Sequence, residues 1–130
     1  MYLEKIKSCN KVPHIDDISD EQKAEICAFI QGAIYYWCQI NFDENSNESL
    51  NFTGRDLIGG KNRHWKGTPL LCLYKKYSTA GNSDKDSRKL AAIDAGHLLR
   101  WVVDNDKRGF CYVEGTSPRA YKWDGTPKDW

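Results

Sequence analysis

Between residues 26 and 40, twelve of fifteen positions are apolar, interrupted by Gln31, Gly32 and Gln39. The run is too long for a strand, and Ser19-Asp-Glu-Gln22 just ahead of it fits a capping box, so it predicts a helix ending near Ile40. A helix apolar nearly all round belongs at the centre of its fold or offers a spare face to a partner. The spare face would hold Tyr35 and Tyr36 near Phe29, which makes a homodimer contact the alternative to a purely internal role. The internal role is favoured, because a chain of 130 residues needs one thoroughly buried element.

A second helical period follows Ser83, a good N-cap with Asp84 and Asp86 in the first turn. Ala91, Ala95, Leu98 and Val102 form its apolar stripe, widened by Ala92 and Leu99. Lys89, Ile93, Gly96, His97, Arg100 and Asp104 form the opposite face. After the polar exit 104–108 the period changes to two. Phe110-Cys-Tyr-Val113 and Arg119-Ala-Tyr-Lys-Trp123 suit two strands, joined by a turn at Gly115-Thr-Ser-Pro118.

The intervening chain predicts shorter pieces. Residues 41–49 are polar and acidic, a loop by composition. Leu50-Asn-Phe52 suits a short strand, and Thr53 caps a helix of barely two turns closed by Gly59-Gly60. Those glycines precede Lys61, but the phosphate-loop pattern is absent, so they serve as cap and turn. Thr68-Pro69 predicts the start of a further helix, with Leu70, Leu73, Tyr74 and Tyr77 on one face and a stop at Ala80-Gly81. The echo between Trp65-Lys-Gly-Thr-Pro69 and Trp123-Asp-Gly-Thr-Pro127 is shared turn chemistry, too short for a repeat. One domain at 19–125 is expected, with an extension at 1–18 and a tail at 126–130.

Composition narrows the classes. Hydrophobic residues make up 40% and charged residues 28%, which argues against global disorder. The start of the chain lacks a secretory pattern and no run is long enough to span a bilayer, so a soluble cytoplasmic protein without membrane contact is expected. The tripeptides at Asn47 and Asn51 that fit a glycosylation acceptor are then incidental. Five cysteines, Cys9, Cys27, Cys38, Cys72 and Cys111, lack metal-ligand spacing among themselves or with His14, His64 and His97. They read as buried reduced thiols, and no metal or cofactor is expected. Nor does any nucleophile–base pair or carboxylate pair stand out: Asp16-Asp17 and Asp104/Asp106 suit caps and turns, so no enzymatic activity is expected. Charge is the informative term. Residues 1–53 hold 4 Lys against 9 Asp/Glu, a net −5, whereas residues 54–130 hold 15 Lys/Arg against 9, a net +6. A basic half permits one-sided contact with a polyanion.

The long helix with a basic, small-residue outer face, running into a basic hairpin, resembles the recognition helix and wing of a winged helix-turn-helix domain. The element order over about residues 20–123 is similar to that architecture with one added helix. The resemblance implies a mainly α fold of four or five helices with a small C-terminal β-hairpin as wing. It also resembles the small stand-alone proteins of bacteria, phages and mobile elements. The implied function is double-stranded DNA binding by a small regulator. Lys89, His97 and Arg100 would contact base edges or phosphates, and Lys107, Arg108, Arg119 and Lys122 would place charge on the wing. The basic-aromatic run around Lys61, Arg63 and Trp65 would touch phosphates or, as is commoner for a lone loop tryptophan, be pinned to the core. The alternative function on the same scaffold is a protein-binding module, such as an inhibitor of a host nucleoprotein machine. A sequence pI near 7.6 keeps both open.

Overall fold

Four helices and five short strands make up the described part of the chain, residues 13–45, 48–59, 65–106, 108–113 and 119–123, in the computed structural model. Helix α1 spans Asp20–Ile40 and opens with the expected capping box: Ser19 Oγ accepts from Gln22 N at 3.0 Å, and Ser19 N donates to Gln22 Oε1 at 2.8 Å. Two strands, β1 (Phe42–Asp43) and β2 (Glu48–Ser49), follow in the segment where composition suggested only a loop. Their signal was missed because each has two residues. Phe42 holds the small hairpin down by stacking on Trp123 with ring centroids 4.9 Å apart.

Strand β3 (Phe52–Thr53) runs directly into helix α2 (Gly54–Ile58), for which Thr53 Oγ1 accepts from Asp56 N and the Asp56 carboxylate accepts from Thr53 N. The chain then turns at Trp65, and helix α3 spans Leu71–Thr79. The expected start at Thr68-Pro69 is too early. Thr68 Oγ1 donates to Trp65 O at 2.9 Å and accepts from Leu70 N at 3.2 Å, so it braces a turn ahead of the helix rather than capping it. Helix α4 (Asp84–Asn105) follows a short turn through Gly81, whose φ of 100° suits glycine. Strands β4 (Phe110–Val113) and β5 (Ala120–Trp123) pair antiparallel, and their connection, where the turn 115–118 was expected, lies outside the described residues.

The sheet order is β3-β5-β4. The early strand therefore pairs with the last one, Phe52 opposite Tyr121, and closes the hairpin against the helices. Phe52 is fully buried there, edge-on to Trp37 and Phe110 and tilted against Tyr121, with centroids 5.7–6.3 Å apart. The inner face of α1, with Ile26, Ile30, Ile34 and Cys38, packs with Ala91, Ala95, Leu98 and Val102 of α4 in one core that also takes in Leu70 and Leu73. Ile15 joins this core from the start of the described chain.

Helix α1 is not buried all round. Phe29, Tyr36 and Ile40 lie on a common outer face and are exposed, Tyr36 by 65% and Ile40 by 61%. One face of this helix is core, as expected, and the face with Phe29, Tyr36 and Ile40 is exposed among the described residues.

Candidate nucleic-acid interface

The outer face of α4 follows from the burial of its inner one. With Ala91, Ala95, Leu98, Leu99 and Val102 committed to the core, helical geometry turns Lys89, Ile93, Gly96, His97, Arg100 and Asp104 outward, and all six are exposed. Gly96 has no internal reason to be glycine. A Cβ built there meets nothing within 4 Å, yet glycine in a helix interior costs about 1 kcal/mol relative to alanine. A role in packing α4 against its neighbours is thereby excluded among the described residues. What the glycine leaves is a notch on the outer surface.

The helix is held at a fixed angle by α3. Lys76 Nζ lies 2.9 Å from Asp94 Oδ2, Tyr77 Oη donates to the same oxygen at 2.7 Å, and Lys76 also donates to Asp16 O at 2.7 Å. Burial pulls the Lys76 ammonium down, but the hydrogen bond and charge of Asp94 outweigh it and leave its pKa raised. Tyr77 is raised by burial and by the Asp94 hydrogen bond. Lys76 is thus an internal strut of the two-helix unit.

At its C-terminal end the outer face of α4 joins the hairpin. Tyr112 of β4 donates its hydroxyl to Asp104 Oδ1, and that hydrogen bond, with some burial, raises the phenol pKa. Arg100 Nε lies 3.9 Å from the other Asp104 oxygen, and the Arg119 guanidinium sits 4.5 Å from the centroid of the Tyr112 ring. Arg100, Asp104, Tyr112 and Arg119 form one run of contacts from helix to hairpin. Asp104, expected to serve only a cap or turn, orients two neighbours. The linking role of Tyr112 had a signal in the sequence only in hindsight: it needs the register Tyr112 opposite Tyr121, which puts it on the same sheet face as Arg119.

Not every expected cation belongs to this surface. Arg108 is a correction: its side chain is only 1% exposed and faces inward. Its Nη2 reaches Asp106 Oδ2 at 2.7 Å, its Nε reaches Asp106 Oδ1 at 2.9 Å, and its backbone N–H donates to Asp106 Oδ1 at 2.8 Å. Gln31 Nε2 of α1 adds a donor to Asp106 Oδ2 at 3.0 Å, while the rings of Tyr35 and Phe110 lie 5.6 and 5.7 Å from the guanidinium. This buried clamp fixes the exit of α4 into β4. Sequence could not reveal it, because a basic residue in a polar stretch looks solvated until its partner is known. Lys122 is half-buried and pairs with Cys111, so strand alternation puts it on the sheet face opposite Tyr112 and Tyr121. Lys61, Arg63 and Lys107 lie outside the described residues. The basic-aromatic run is nonetheless anchored at its end: Trp65 is buried, its Nε1 donates to Ile58 O at 2.6 Å, and its φ is 62°. That matches the pinned-loop reading of the tryptophan.

The thiols divide. Cys27 and Cys38 are buried, and burial pushes Cys27 up to about 11, but Cys72 is half-buried and Cys111 is exposed, so the expectation of uniformly buried thiols fails at Cys111. Among the described residues no group of three or more His, Cys, Asp or Glu side chains is placed to hold a metal ion. No described helix is long and apolar enough to cross a membrane. No family model, curated protein or solved structure matches the chain.

Proposed function

We propose that this chain is a small DNA-binding regulator of winged-helix type, using the outer face of α4 and the β4–β5 hairpin on duplex DNA. The observation that carries this reading is the continuity of Lys89, Ile93, Gly96, His97 and Arg100 with Arg119 through the Asp104–Tyr112 hydrogen bond. A helix and a hairpin locked into one exposed, cationic surface suit a groove and its flanking phosphates. Two further features support it. Helices α3 and α4 are joined by a short glycine-containing turn, as in a helix-turn-helix unit. Strand β3, the last before α2, pairs with the return strand of the hairpin, an order that suits a wing. The proposal involves no catalytic step and no cofactor. Titration of the protein against random duplex DNA at two salt concentrations tests it: affinity that falls steeply with salt supports phosphate contact, and absence of binding at low salt overturns it.

The second reading, a protein-binding module, is favoured by the outer face of α1. Phe29, Tyr36 and Ile40 are exposed along one stripe, and Gly32 beside them is another exposed helix-interior glycine, with nothing among the described residues within 4 Å of a built Cβ. Such a face suits a second copy of the chain or another protein. Tyr36→Glu separates the readings, since it should abolish a complex formed through α1 and leave the α4 face intact.

A further inference from the structure

Ile93 is the one large apolar side chain of α4 that is turned to solvent: it is 50% exposed, whereas Leu98, Leu99, Trp101, Val102 and Val103 of the same helix are buried. Its position on the face is central. At 100° per residue it lies within about 60° of Lys89, Gly96, His97 and Arg100, one turn from Lys89 on one side and from His97 on the other. An isoleucine in this setting does nothing for the described core, and a polar residue would solvate better. Next to it, Gly96 removes the side chain that would hold a surface away from the helix backbone, and among the described residues nothing lies within 4 Å of a Cβ built there.

We propose that Ile93 reads the 5-methyl group of a thymine in the major groove. This rests on the DNA-binding reading of the α4 face and names what that face recognises. The groove edge of a base pair offers hydrogen-bond donors and acceptors and one apolar group, the thymine methyl. An apolar side chain on a groove-facing helix therefore has one favourable partner there. Any other base pair would desolvate a polar edge against it without replacing the lost hydrogen bonds. Gly96 lets the helix sit deep enough for the short Ile93 side chain to reach that methyl. Lys89 and Arg100, on either side along the helix, supply the charge that holds the helix in the groove. Arg100 is kept over its post by Asp104, 3.9 Å from its Nε. The preferred site accordingly contains an A·T pair at the centre of the α4 footprint.

The test uses the protein as it stands. A random-sequence duplex pool is enriched on the wild-type protein, and the enriched pool is then synthesised twice, once with thymidine and once with deoxyuridine, which lacks only the methyl group. Wild-type protein should bind the deoxyuridine pool roughly threefold to fivefold more weakly, the effect of one apolar group of this size left unburied. Ile93→Ala should bind both pools alike, at about the wild-type affinity for the deoxyuridine pool. Since Ile93 is exposed, the variant should keep the wild-type unfolding midpoint. Equal binding of both pools by wild-type protein overturns the Ile93 assignment while leaving DNA binding standing, as does an undiminished thymidine preference in Ile93→Ala. Failure to bind or enrich any duplex overturns the DNA reading, and the assignment with it.

Discussion

Replacing Arg108 by alanine should unfold the protein more readily rather than merely strip a charge from its surface. The side chains of Arg108 and Asp106 are 1% and 0% exposed, and the pair is joined by three hydrogen bonds of 2.7–2.9 Å. Breaking a buried pair by removing one partner costs about 3–5 kcal/mol, because the remaining charge is left without compensation. Here the lower end applies. In Arg108→Ala the Asp106 carboxylate keeps the backbone N–H of residue 108 and the Gln31 amide, two of its donors. A loss of about 3 kcal/mol is expected, read as a shift in the urea midpoint at constant slope. Arg108→Met with Asp106→Leu, which removes both charges, should recover a good part of the single-variant loss. An Arg108→Ala protein with an unchanged midpoint would refute the clamp and return Arg108 to the surface.

Other consequences can be read directly. Phe52→Ala should cost about 3–5 kcal/mol in chemical denaturation, since the ring is fully buried between Trp37, Phe110 and Tyr121; a smaller effect than that of Trp37→Ala, which truncates a half-buried ring, would contradict the packing. Burial holds Cys27 up at about 11, against 9.0 for the ordinary thiol. Its stabilising effect is present below pH 9 and lost as pH rises toward 11, by about 2–3 kcal/mol at most. Cys27→Ala should flatten that part of the stability–pH curve, and an unchanged slope would show that the thiol is not buried. Among the described cysteines Cys111 should react with a thiol reagent in the native protein, with Cys27 and Cys38 labelled only on unfolding; peptide mapping after brief labelling decides this.

The parts of the fold legible in the sequence were those governed by local rules. The caps at Ser19, Thr53 and Ser83 are set by side chains within three residues of the groups they satisfy. The stripes of α4 are fixed by period alone, so its outer face could be named in advance residue by residue. What the sequence hid were relations between distant residues. The pairing of Phe52 with Tyr121 and the reach of Gln31 to Asp106 have no local signature, and with them went the true role of Arg108. Thr68 misled because a threonine before proline looks the same whether it caps a helix or braces the turn before it. Residue type gave the cations of the candidate interface; only the register of the hairpin separated Arg119 from Lys122.

The most direct test of the central claim is the salt dependence of DNA binding by Lys89→Ala/Arg100→Ala. Both residues are exposed, and the Arg100–Asp104 contact at 3.9 Å is solvated, so the double variant should unfold within about 0.5 kcal/mol of wild type. If the α4 face lies in a groove with these two side chains on phosphates, affinity for random duplex should fall and the slope of log affinity against log salt should shrink by about two. A folded double variant with wild-type affinity and wild-type slope would contradict the placement of α4 on DNA.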